Sequence, residues 1–265
     1  MIVQAERWYA RAHFKLGEAY RKKGLWHKAR LEYEISLKLE PDDRQVLVAL
    51  GETFLAEGKP AEARGVFERA VAIHNNDAAV CLGLGRAYLA EGDSSTAERE
   101  FARALSLDPQ NPEVHYLMGK LRQERGECRE AVGHFEKAAS SKHLRLDAQI
   151  SAGLALAKLG VYDLAAAALK NVLRESPCNV AALLNVAEVY RARGMQYEAI
   201  KYFRRMVSLE PDCAETRRSL ADLYCERGLT REAIEEYENC LRLCPESDWS
   251  GQVEQRMRAL AEQGA

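Results

Sequence analysis

Seven glycines, Gly24, Gly58, Gly92, Gly126, Gly160, Gly194 and Gly228, stand 34 residues apart with no insertion or deletion between them. A fixed period of this length means that the chain is built from copies of one small unit, each too small to bury its own apolar face and each completed by its neighbours. Other positions keep the same register. Seven residues before each glycine is a small residue: Gly17, Gly51, Gly85, Gly119, Gly153, Ala187 and Ala221. Five residues after it is always alanine, from Ala29 to Ala233. Four further on comes a large apolar residue: Tyr33, Phe67, Phe101, Phe135, Leu169, Phe203 or Tyr237. The units are 10–43, 44–77, 78–111, 112–145, 146–179, 180–213 and 214–247; residues 1–9 precede them and 248–265 follow.

Within a unit the apolar residues recur at helical spacing twice, as in Leu16 with Tyr20 and in Ala29 with Tyr33. The conserved-register glycine lies between these stretches, where a residue tolerant of the left-handed region ends a helix. Pro41, Pro109, Pro177, Pro211 and Pro245 stop the second helix, since proline has no N–H and disfavours helical geometry in the residue before it. The second and fourth units carry Asn75 and His143 there instead. Each unit therefore reads as a helix pair. The small residues let helices approach closely, and the large ones fill the space between layers. Residues 1–9, with Trp8 and Tyr9, extend the first helix. After Pro245, Asp248 or Ser250 can cap a helix with an apolar stripe of Trp249, Val253, Met257 and Leu260, the expected cap of the stack.

Composition excludes several classes. The 38 Lys and Arg nearly balance 40 Asp and Glu, a poor match to a nucleic-acid binder. No apolar run approaches the roughly 18 residues of a membrane span, and Met1–Trp8 lacks the pattern of a signal peptide. Seven irregularly spaced cysteines make a poor disulfide framework and fit a reducing compartment, so a cytoplasmic location is expected. No paired Cys/His spacing suggests zinc; His13 and His115 share a helix-packing position. Gly83-x-Gly85 lies within a helix and follows no strand, so it is no phosphate loop. No nucleophile–base pair can be located. The expectation is a non-enzyme with no cofactor and no metal.

This pattern resembles the tetratricopeptide repeat family. Numbering each unit 1 to 34, the third unit has Leu84, Gly85 and Tyr88 at positions 7, 8 and 11, and Ala97, Phe101, Ala104 and Pro109 at positions 20, 24, 27 and 32, as that family does. The resemblance implies an all-α, right-handed α-solenoid superhelix of antiparallel helix pairs with a C-terminal capping helix. It implies a non-catalytic protein-interaction scaffold that binds a peptide or helical segment of a partner in a concave groove. The alternative is a regulatory or substrate-recruiting module acting beside a catalytic partner. In the family, positions 2, 5, 6, 9, 12 and 13 of the first helix face the groove. Carried over, these are Lys15, Glu18 and Arg21, then Val48 and Glu52, Leu82 and Arg86, Tyr116 and Lys120, Ile150 and Leu154, and Asn185, Glu188 and Arg191. The partner is expected to be a protein or peptide, without nucleic acid or membrane insertion, and an acidic end of it would suit Lys15, Arg21 and Lys22. The clamp by which some members hold a terminal carboxylate is missing, because Ile150 and Leu154 precede Asn185 and Glu215 and Ser219 follow it. Units 4 and 5 depart furthest, with Arg122 and Leu156 at position 11 and no proline in 140–147. Either neighbours compensate or a soft joint lies there.

Overall fold

The structure, a computed structural model, describes residues 2–263. Among them are fifteen α-helices and no strand. The chain divides into two compact units, Met1–Leu121 and Arg122–Ala265. The first holds the pairs α1 (Ile2–Lys22) with α2 (Trp26–Leu39), α3 (Arg44–Ala56) with α4 (Pro60–Ile73), and α5 (Ala78–Ala90) with α6 (Ser94–Leu107). The boundary falls within α7 (Pro112–Glu124). The second unit holds α8 (Cys128–Ala138), α9 (Arg145–Lys158), α10 (Tyr162–Glu175), α11 (Val180–Ala192), α12 (Gln196–Leu209), α13 (Ala214–Glu226), α14 (Thr230–Leu243) and α15 (Ser250–Gln263), each packed on the next. Bonded partners in the first pair lie 26 residues apart for Ser36 and Ala10 and 15 apart for Tyr33 and Glu18, nearer the turn, so the helices run antiparallel.

Local sequence sets the boundaries. Gly24 has φ 71°, and its N–H donates to Arg21 O at 2.9 Å while Leu25 N donates to Tyr20 O at 3.0 Å. This closure satisfies two end carbonyls and requires the left-handed region, which costs an L residue about 1–2 kcal/mol. The same glycine in all seven units has positive φ. The first helix of the next pair is capped by position 34: Asp43 accepts from Gln45 N and Val46 N, Asp77 from Ala79 N and Val80 N, and Asn179 from Ala182 N. Arg145 holds that position before the fifth unit and cannot accept. There α9 starts from Leu144 with no side-chain cap, and α8 is 11 residues long where α4 and α6 have 14. Consecutive turns fill the gap, with Ser140 N on Lys137 O and Ser141 N on Ala138 O.

The core is made by one contact repeated. The residue at position 24 is fully buried in every unit, from Tyr33 to Tyr237. In the first three pairs its ring presses on the glycine at position 8 of the same pair, and in the fifth Leu169 meets Gly153 in the same way. A Cβ added at Gly17, Gly51 or Gly85 would lie 2.5 Å from the ring of Tyr33, Phe67 or Phe101. The glycines at position 8 thus serve the join within a pair, whereas the sequence suggested a join between pairs. Phe67 does both, since a Cβ at Gly83 of the next pair would meet it at 2.2 Å. Val46 and Leu50 then pack on Tyr33 and Leu37 of the preceding pair. On α15, Val253 is buried, and Met257 and Leu260, with Trp249 just before the helix, pack against the second unit's core. Ser250 does not cap this helix: its hydroxyl donates to Ser247 O, and Val253 N bonds Trp249 O.

Two outcomes follow from this packing. Ala131 is fully buried, so Ala131→Leu should overpack its layer and lower stability by about 1–3 kcal/mol, read from urea midpoints. Amide exchange should be about tenfold faster at Ser140 and Ser141 than at Ala72 and Ile73, their helical counterparts in α4.

Candidate functional site

From the second pair on, the first helices bury positions 3, 7 and 8, and positions 2, 5, 6 and 9 are mostly turned away from the core, with Leu82 and Gly83 of the third pair buried. In the first unit these positions line a cavity of about 410 Å³ whose walls include Glu18 and Arg21 of α1 and Gln45, Val48 and Glu52 of α3. Four of the residues expected in the groove are therefore brought together: Glu18, Arg21, Val48 and Glu52.

Two charge networks flank this cavity. Arg21 grips Glu18 with both prongs, Nε to Oε1 at 2.9 Å and Nη2 to Oε2 at 2.8 Å, and the buried Tyr33 hydroxyl donates to Oε1 at 2.5 Å. The Arg21 hydrogen bond holds the Glu18 carboxyl below its usual range despite partial burial. Burial, with the Glu18 hydrogen bond second, raises the Tyr33 phenol. On the other side Arg86 Nη1 donates to both oxygens of Glu52, at 2.8 and 3.0 Å, and lies 3.4 Å from Glu113. Burial pushes the Glu52 carboxyl up, opposed by Arg86. Arg21 and Arg86 are thus already neutralised, whereas Lys15 is exposed on α1.

The other expected residues are placed differently. Leu82 is buried in a core cluster with Phe101 and Met118 and lines no groove. Lys120 lies over the Tyr116 ring, 5.9 Å from its centroid. In the second unit Ile150, Leu154, Asn185 and Glu188 are half-buried, and Arg191 is exposed at 3.7 Å from Glu188. Arg191 also borders a cavity of about 430 Å³ shared with Asp222, Tyr237 and Arg256. There the Tyr237 hydroxyl donates to Asp222 Oδ1 at 2.5 Å, and Arg256 of α15 pairs with the same oxygen. This trio was not among the residues expected to act. Its signal in the sequence is that both units with Tyr at position 24 carry an acid at position 9, Glu18 with Tyr33 and Asp222 with Tyr237. All seven cysteines are free thiols. No group of three or more His, Cys, Asp or Glu among the described residues is arranged to hold a metal ion, and no helix among them is long and apolar enough to cross a membrane.

Two tetratricopeptide repeat sequence profiles match, one over residues 54–121 and the other over 14–78 and 150–208. The chain belongs to the tetratricopeptide repeat family. Solved structures of this family share its fold, an all-α solenoid of helix pairs. The C-terminal part of a TPR repeat-containing protein from Cytophaga hutchinsonii aligns with TM-score 0.72 and 16% identity over 91% of this chain and 98% of that one. A tetratricopeptide repeat protein from Parabacteroides merdae aligns with TM-score 0.64 and 15% identity over 96% and 99%. YrrB, described as a TPR protein with an unusual peptide-binding site, aligns with TM-score 0.60 and 20% identity over 71% and 97%. Comparison with curated proteins by sequence gives no match.

The two tyrosine–carboxylate pairs make stability depend on alkaline pH. Folding raises both phenols above their ordinary 10.0, so the native state holds these protons more tightly than the unfolded chain. Their contribution is complete below pH 10 and is lost as pH climbs above it. Tyr33→Phe should cost about 1–3 kcal/mol at pH 7 through the lost bond to Glu18. Its stability should then fall less steeply than that of the native chain above pH 10, measured by urea unfolding across pH 8–11.

Proposed function

We propose that this chain is a non-catalytic interaction module that holds a peptide or helical segment of a partner protein along the exposed faces of its first helices. The observation that carries this reading is the cavity between α1 and α3, where side chains from successive pairs converge on one recess. Val48 and Phe14 give it apolar walls for an anchoring side chain, and charged groups surround them. The Glu18–Arg21 and Glu52–Arg86 pairs are fixed internally, so they set the shape and polarity of the walls and leave a ligand's charge to Lys15 and Lys22. An acidic end of the bound segment lies on that side. In the second unit the half-buried Asn185 offers amide donors and an acceptor to a peptide backbone. The peptide-binding site ascribed to YrrB supports the same use of the fold. The module works in the cytoplasm, a placement supported by its seven free thiols.

The reading is tested by selecting peptides from a displayed 12-residue library on the immobilised full chain and measuring their affinity in solution. Val48→Asp, at a half-buried position, should weaken the selected peptides by about tenfold or more, and Lys15→Glu should weaken those with acidic ends, both with unchanged circular dichroism. Unaltered affinity in both variants overturns the reading.

A further inference from the structure

The second helices of units 6 and 7, α12 and α14, carry opposite charges at the same positions. Position 22 is Lys201 in one and Glu235 in the other, and position 25 is Arg204 and Glu238. All four side chains are exposed. In the first two units the acid at position 25 is answered on its own helix by an arginine at position 21, Glu34 by Arg30 and Glu68 by Arg64, each at 3.1 Å. Units 6 and 7 put Ile200 and Ile234 at position 21. Their outward charges are left over: among the described residues none of the four lies within salt-bridge distance of an opposite charge. Arg204 is steadied by the Tyr224 ring, 5.9 Å from its centroid, a neutral partner that leaves the guanidinium charge uncancelled.

The two charged faces lie side by side. Both helices pack on α13, where Arg204 from α12 and Glu232 from α14 both act on the Tyr224 phenol. As second helices of consecutive pairs they run in the same direction. A nucleic acid or an anionic membrane lying across them would meet Glu235 and Glu238 together with Lys201 and Arg204, so a uniform polyanion is a poor match. The complement of a basic helix beside an acidic one is an acidic helix beside a basic one, and the chain itself supplies that pattern. A two-fold axis parallel to α12 and α14 and midway between them sets α12 of one copy on α14 of the other, and the reverse. Rotation about this axis leaves height along the helices unchanged. Position 22 therefore meets position 22, and position 25 meets position 25.

We propose that the outer faces of α12 and α14 dock a second copy of this chain in a two-fold dimer, Lys201 against the partner's Glu235 and Arg204 against the partner's Glu238, each contact made twice. Tyr197, 73% exposed at position 18, then stands level with the partner's Arg231, an arginine over an open ring. Position 19 is an acid in both units, but Glu198 is half-buried beside Lys170 of α10. Two helix faces from each copy make a small contact, of the size that gives weak association, and its charged pairs make that association sensitive to salt. The surface belongs to second helices and is separate from the first-helix face that receives the peptide, so either assignment can fail alone.

The test is sedimentation equilibrium of the full chain under reducing conditions. The expected result is a monomer–dimer equilibrium with Kd of about 10–100 µM in about 50 mM salt, weakened about tenfold in about 500 mM salt. Lys201→Glu and Glu235→Lys alter side chains with no ionic partner inside the chain, so circular dichroism should stay unchanged. Each should weaken the dimer by about tenfold or more, because it sets like charges together on both sides of the axis. Mixing the two variants should restore dimers, and so should the Lys201→Glu/Glu235→Lys double variant, since both arrangements pair opposite charges again. The proposal is overturned by a chain that stays monomeric up to about 1 mM, by a dimer that neither substitution weakens, or by a loss that neither mixing nor the double variant repairs. A monomeric chain that sediments with phosphatidylserine vesicles through Lys201 would give α12 to a membrane and overturn it as well.

Discussion

The seat of a large side chain on a residue with little or no side chain, position 24 against position 8, fixes everything else in this protein. Because Phe67 and Phe101 lie where a Cβ on Gly51 or Gly85 would have to be, the two helices of a pair come closer than ordinary side chains allow. The pair becomes a rigid tile with one face for its predecessor and one for its successor. Packing then passes from neighbour to neighbour, as the run of Val46, Leu50 and Leu37 around Tyr33 shows. The outer face of each first helix is what remains, and it is held in place by contacts on the opposite side of the same helix.

Repeats 1 and 7 modify the tile in matching ways. Both replace the phenylalanine ring by tyrosine and give its hydroxyl a carboxylate at position 9. Both also place a donor at position 27, where most other units have alanine. Ser36 donates to Ala10 O at 2.8 Å and Cys240 to Ala214 O at 3.1 Å. Burial pushes the Cys240 thiol up to about 11, which keeps it protonated as a donor. Terminal pairs have fewer apolar neighbours, and hydrogen bonds supply part of the fixing that a further layer would give.

Much of this was legible in the sequence because the same constraint was written seven times. Gly24 and its copies marked each turn, and the structure gives all of them positive φ. The groove assignment of Glu18, Arg21, Val48 and Glu52 came from the family resemblance, carried over through the register of the units. Leu82 did not, because its place depends on how far the next pair covers it, which periodicity leaves open. The pairing of Arg86 with Glu52 was visible in principle, since opposite charges occupy position 9 of consecutive units. The short α8 was half visible: the missing proline at His143 was clear, but the missing cap at Arg145 gains meaning only once Asp43, Asp77 and Asn179 are seen to cap their helices. The exposure of Leu16 could not be read from its residue type, as leucine or its equivalent stands at position 7 almost throughout.

The most direct test of the tile is a double-mutant cycle at Gly51 and Phe67, with unfolding free energies measured in urea for Gly51→Ala, Phe67→Val and the double variant. Phe67→Val removes the ring atoms that lie 2.5–2.9 Å from a Cβ on Gly51. The added methyl should then cost far less in that background, giving a coupling of about 1–2 kcal/mol. Strict additivity of the two substitutions would contradict the seat of ring on glycine as the contact that builds the fold.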